Sequence, residues 1–181
     1  MKKSNAFKSV RVLTVSALLT AMSVVIGIFC KSVLNFGGGL FRITFENLPI
    51  LLSGIIFGPT IGGTVGILSD IISYLLSGQA YPLNPLVTLG AGVIGLSSGV
   101  VAKYIVKHRG TVQFIFAGMS AHILGSMIIK PIGLFAFYGW AVLWRIPMYL
   151  VIAPLEIFLI CILYKNSGFR RIIEDTEKEI P

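Results

Sequence analysis

Charge is what this sequence has least of. Only 12% of its 181 residues are Asp, Glu, Lys or Arg, whereas a soluble domain carries about a quarter. Such a chain cannot cover a water-facing surface, so lipid must be its main solvent. A hydrophobic share of 55% and a mean hydropathy of +0.90 point the same way. Cysteine is nearly missing. Cys30 and Cys161 sit apart, in or at the end of apolar runs, which excludes a disulfide framework. No H-x-x-x-H and no cysteine pair suggests a metal, and no G-x-x-x-x-G-K-[ST] occurs, so this chain is not by itself an ATPase of that type. Acidic residues number 7 against 15 Lys and Arg, a net charge of +8. That excess does not imply nucleic acid. The basic residues cluster in short segments between apolar runs, as the positive-inside bias requires, and no basic helix or aromatic-basic face stands outside them. The start, with Lys2, Lys3, Lys8 and Arg11 before an apolar run, resembles a signal peptide, but the run is too long and no small-x-small site follows, so it is read as the first membrane helix. No internal repeat of the kind found in many secondary transporters is evident.

What is present is a series of apolar runs. The expected architecture is all-α, an integral membrane bundle of six transmembrane helices with both termini cytoplasmic. The stretch around which the rest is arranged is Phe41–Pro59, FRITFENLPILLSGIIFGP. It is apolar enough to enter a membrane yet opens on Arg42 and Glu46 and ends on Gly58-Pro59. The pattern predicts helices over 10–30, 43–57, from Pro59 to about Leu76, 86–106, 111–137 and 140–164. Pro59 suits the first turn of its helix. Lys130-Pro131 predicts a kink or early end in the fifth. The glycine run in Lys31–Leu40 predicts a mobile loop, and the polar segment Ser77–Pro85 a structured one. Residues 1–165 are read as the membrane domain and 166–181 as a short charged cytoplasmic tail. Lysine and arginine concentrate at the N-terminus, around Lys103–Arg109 and at the C-terminus, which puts those ends on the cytoplasmic side. Small residues recur every fourth position in Gly54–Gly66, in Ala91–Gly99 and at Ala17 and Ala21, a spacing that lets helix backbones approach closely.

Ionisable groups inside a membrane are expensive and each demands an account. By counting, Glu46, Lys130 and Arg145 lie near the external helix ends with Arg42 close by. Asp70 is in the outward half of its helix, His122 is near mid-bilayer, and Glu156 lies in the inward half. The functional reading is an outward-opening pocket walled by helix mouths and lined by these charges with Gln79, Tyr81, Asn84, Tyr138, Trp140 and Trp144. Aromatic faces with a few fixed charges suit a planar, partly anionic small molecule. Lysine and arginine would hold carboxylates, and Asp or Glu would take donor-rich ring edges. Each residue also has a plainer reading. Trp140 and Tyr138 are ordinary interfacial residues; Arg145 and Lys130 snorkel; His122 is a satisfied core histidine; Glu156 pairs with an internal basic group; Asp70 is a structural hub; Glu46 pairs with Arg42. G-x-S-x-G at Gly95–Gly99 would make Ser97 a nucleophile with His122 as base, but it lies within an apolar run rather than at a strand–turn–helix elbow.

The pattern RITFENLPILLSGIIFGPTIGGTVGILSDIISYLL, followed by a polar loop and PLVTLGAGVIGLSSG, resembles the substrate-binding subunits of energy-coupling factor vitamin transporters, most of all the folate type. The likeness covers the first four helices well and the last two more loosely. It implies a non-catalytic subunit that binds a vitamin, folate before an alternative such as pantothenate, with the first loop as a lid. It needs no cofactor or metal. It implies a transmembrane coupling subunit and two ATPases as partners, with Ala17 and Ala21 at the coupling interface, in the plasma membrane of a bacterium. A stand-alone transporter and a membrane hydrolase are the competing readings.

Overall fold

The computed structural model describes residues 9–36, 41–77, 83–106 and 110–178. α1 (Val10–Val33) begins behind Ser9, whose Oγ accepts the Val12 N–H. It runs three residues beyond the expected end at Cys30, because nothing in Lys31-Ser32-Val33 breaks a helix. Lys31 is thereby carried on the last turn of α1 rather than in a loop. The flanks of the following segment pair as a short antiparallel ladder, β1 (Asn35–Phe36) on β2 (Phe41–Arg42), with Asn35 opposite Arg42 and Phe36 opposite Phe41. The glycines expected to form a mobile loop lie between these strands, outside the described residues.

α2 (Asn47–Phe57) starts four residues later than the apolar pattern suggests. Pro49 gives the reason. In a helix beginning at Ile43 its missing N–H would forfeit an internal bond, whereas in a first turn that N–H has no partner to lose. Eleven residues rise about 16 Å, roughly half a bilayer core. Apolar enough to enter a membrane, the segment is nonetheless enclosed by protein: every residue of α2 is buried, and α2 packs against α1, α3 (Pro59–Leu76), α4 (Pro85–Val100) and α7 (Arg145–Lys165). Gly58 turns the chain between α2 and α3 with φ of +96°, and Pro59 opens α3. That positive φ suits only a residue without a Cβ.

The glycine series does its expected work inside the bundle. A Cβ on Gly95 would strike the backbone of Gly62, and one on Gly66 would strike the Ala91 carbonyl. α3 and α4 therefore meet backbone to backbone, the most extensive helix contact among the described residues. α4 continues in a wide π turn, Val101–Ile105. The Gln113 amide donates to the Ala102 and Val106 carbonyls at 2.8 and 3.0 Å and so satisfies that end.

The fifth predicted helix is one rod in three parts: α5 (Thr111–Ala121), a π-helical segment (His122–Ile129) and α6 (Lys130–Tyr138). The Lys130 N–H bonds to the Gly125 carbonyl, five residues back. Pro131 cannot donate, and its ring would press on the carbonyl four residues before it, so the wider turn relieves the clash where a kink was expected. A 3-10 turn, Gly139–Trp144, then leads into α7, which starts at Arg145 rather than Trp140. α7 runs antiparallel to the rod: His122 meets Glu156, the Gly118 site faces Ile157, and Phe114 meets Tyr164. The 55-residue apolar stretch Thr111–Lys165 is thus two passes. With Val10–Val33, Pro59–Leu76 and Pro85–Ile105, all long and apolar enough to cross a membrane, and with the central α2, this makes six helices. The tail is helical too, α8 (Ser167–Lys178), started by Asn166, whose Oδ1 accepts the Gly168 N–H at 3.0 Å.

Candidate functional site

The C-terminal ends of α1, α3 and α6 and the N-terminal ends of α2, α4 and α7 converge at one end of the bundle. Between them lies a cavity of about 820 Å³, counted with its open mouth. Five charged side chains from five helices or their approaches line it: Lys31, Glu46, Asp70, Lys130 and Arg145. Formally they sum to one excess positive charge. Aromatic faces come from Tyr74, Phe137 and Tyr149.

Lys130 is the most enclosed cation. It is 6% exposed, its Nζ lies 3.7 Å from Glu46 Oε1, and it donates to Asn47 Oδ1 at 3.2 Å. Burying an ammonium is tolerable only with a carboxylate and hydrogen bonds around it. Space for this group comes from two glycines: a Cβ on Gly90 would meet the Lys130 stem, and one on Gly27 would meet the Glu46 carboxylate. Asp70 Oδ2 accepts the Thr88 hydroxyl at 2.7 Å, so it both ties α3 to α4 and presents charge to the cavity. Lys31 Nζ donates to Ser73 and Ser77 hydroxyls at 2.7 and 3.3 Å. Asn84 caps α4, its Oδ1 taking the Leu86 N–H at 3.0 Å, and its amide donates to the Gly133 carbonyl. Arg145 lies over the Tyr138 ring, 5.5 Å from its centroid. A smaller cavity of about 220 Å³, again counted with its open mouth, adjoins the first and shares Glu46, Asp70 and Lys130 with it.

Of the residues singled out in the sequence, the structure brings Glu46, Asp70, Asn84, Lys130 and Arg145 together at this cavity. The ion partner shown for Glu46 is Lys130. Arg42 is placed by its backbone in β2, and Gln79 and Tyr81 lie outside the described residues. His122 is not in the lining. It is wholly buried, with Nε2 2.8 Å from Glu156 Oε2 and Nδ1 3.4 Å from Ser126 Oγ. Trp140 and Trp144 stand outside too, 76% and 64% exposed on the 3-10 turn; indole rings favour such an interfacial setting. Ser97 donates its hydroxyl to the Val93 carbonyl at 2.6 Å, and the hydroxyl beside His122 belongs to Ser126. The nucleophile–base geometry of a hydrolase is absent from these residues.

Sequence reasoning missed Lys31, Tyr74, Met148 and Tyr149 in the lining. Helical spacing could have found three of them. Tyr74 is four residues after Asp70, and Met148 and Tyr149 are three and four after Arg145, the offsets that share a face. Lys31 carried no such signal, because the end of α1 was set three residues too early.

An apolar six-helix bundle with a cavity of mixed charge and aromatic lining at one end defines a membrane protein that binds a small molecule. The model of the family described as ECF transporter, substrate-specific component, matches residues 11–171, and the chain belongs to that family. Among solved structures, FolT bound with folic acid is similar to this chain. The TM-score is 0.66 at 23% identity, over 83% of this chain and 89% of that one. At this identity the likeness is one of fold. A search of curated proteins found no match.

Proposed function

We propose that this chain captures folate at the Lys31–Glu46–Asp70–Lys130–Arg145 cavity and presents it to an ATP-driven importer. The observation that carries the reading is the pairing of two carboxylates with three cations in an aromatic-lined cavity. A pterin is flat and rich in N–H donors, which suit Tyr faces and the Asp70 or Glu46 oxygens. The glutamate end of folate carries two carboxylates, which suit Lys and Arg. The fold shared with FolT bound with folic acid supports this choice of vitamin. Asn84 joins the lining, and Arg42, Gln79 and Tyr81 are included in the proposed ligand-binding set on their side-chain chemistry.

The cavity end is assigned to the outside and the end bearing Lys103, Lys165 and α8 to the cytoplasm of a bacterial plasma membrane, in line with the positive-inside bias. A transmembrane coupling subunit and two ATPases complete the importer. Ala17 and Ala21 are exposed on α1, where a stripe of small residues lets a partner helix approach closely.

The test is binding by the purified chain alone. Tight, stoichiometric folic acid binding without ATP is expected. Binding of pantothenate in its place would overturn the choice of vitamin, and uptake into liposomes by the chain without ATPases would overturn the role of a subunit.

A further inference from the structure

The cavity rests on a second polar cluster that ligand binding does not use directly. His122 and Glu156 are each 0% exposed, and no element of either cavity includes them. Among the described residues neither oxygen of Glu156 nor Nε2 of His122 has a hydrogen bond of good geometry, so the 2.8 Å approach of Nε2 to Oε2 is a close polar contact rather than an aligned hydrogen bond. Such a pair is a poor source of stability, since apolar side chains of similar volume do as well or better. Its geometry indicates another use. His122 opens the π-helical segment, which ends just before Lys130. Glu156 lies on α7 seven residues, or two turns, beyond Tyr149 and eleven beyond Arg145, all on one face. The Tyr149 ring is 6.3 Å from the His122 ring. The contact at 2.8 Å thus pins α7 to the rod directly below Lys130, Tyr149 and Arg145, three of the six cavity residues those two elements supply. Ser126 holds the imidazole from its other side. Apolar helix faces can slide or rotate with little change in contact, whereas two buried polar groups in ion-pair contact can meet in only one register.

We propose that His122 and Glu156 are positioning residues of the vitamin site, setting the register that aims Lys130, Tyr149 and Arg145 into one cavity. This rests on the reading of that cavity as the vitamin site. The pair acts through those residues and touches no ligand.

The experiment compares Glu156→Gln, the apolar pair H122L/E156L and the exchanged pair H122E/E156H with the wild-type chain. Each is titrated in detergent with folic acid and, in parallel, with pantothenate, riboflavin, thiamine and biotin. Unfolding temperature without ligand is recorded for each. The expected result is at least tenfold weaker binding by Glu156→Gln and by the apolar pair. The apolar pair should keep the wild-type unfolding temperature or exceed it, and the exchanged pair should recover most of the affinity. Rescue by exchange is a readout that mere core filling would not produce. Wild-type affinity in both Glu156→Gln and the apolar pair, or an exchanged pair no better than the apolar one, overturns the positioning role. If the wild-type chain binds another of these vitamins and not folic acid, the folate assignment falls, and the positioning role is judged by the same comparison on that vitamin.

Discussion

Lys130 is the most enclosed cation of the cavity lining. Its ammonium is held between Glu46 and Asn47 at the boundary of two cavities. Replacing it by Ala takes the ammonium away from the Glu46 carboxylate and from the Asn47 amide oxygen it donates to. Each charged hydrogen bond lost is worth about 1.5–3 kcal/mol. If Lys130 holds a folate carboxylate as proposed, Lys130→Ala should weaken folic acid binding by that amount, read by calorimetric titration, and Arg145→Ala should do likewise. Unchanged affinity in both would remove these cations from the site. Lys31 offers a sharper contrast. It stands at the mouth end of α1 with Ser73 and Ser77. If it meets the glutamate end of folate, Lys31→Met should weaken folic acid binding roughly tenfold, about 1.4 kcal/mol. It should leave pteroic acid, which lacks that glutamate, nearly unaffected. Equal losses for both ligands would place Lys31 at the ring end instead.

At the scale of elements, the crossing of α3 and α4 is the contact with least slack. Gly62 and Gly95 face each other so closely that neither has room for a methyl group. Overfilling a packed interface costs about 1–3 kcal/mol, more where backbones must part. Gly95→Ala should lower the unfolding temperature of the unliganded chain in detergent, and Gly63→Ala, whose Cβ would find ordinary contact distances, should not. Similar behaviour of the two variants would contradict the backbone-to-backbone crossing. The π-helical segment shows why the rod was harder to read. A helical run with a kink or early end at Lys130-Pro131 was legible from the sequence, but hydropathy does not show that a π segment accommodates the proline. The choice rested on where the displaced hydrogen bond could go, and it goes from Lys130 to Gly125.

For the whole molecule, the relevant surface is the outer side of α1. Thr14, Ala17, Leu18 and Ala21 are all exposed there. Trp at Ala17 and at Ala21 should leave folic acid titration of the isolated chain unchanged and should stop ATP-driven uptake by the assembled transporter in proteoliposomes. Loss of binding in the isolated chain would return these alanines to internal packing, and full uptake would remove them from the coupling surface.

Membrane residence, six helices, the Gly58-Pro59 turn and the glycine-mediated packing were determined by the sequence alone, because each follows from composition, periodicity or a local backbone rule. The intramembrane charges were legible for the same reason: apolar surroundings make every Glu46 or Lys130 conspicuous. What only the tertiary structure decided is which of them meet. His122 and Lys130 sit on one rod, yet one is sealed against Glu156 and the other opens to the cavity. Trp144 and Arg145 are neighbours in sequence, yet one faces outward and the other lines the site. The burial of α2 is of the same kind, since an apolar helix reads alike whether lipid or protein surrounds it. These outcomes depend on helix rotation and register, which arise from contacts between segments distant in the chain and leave no mark in local hydropathy.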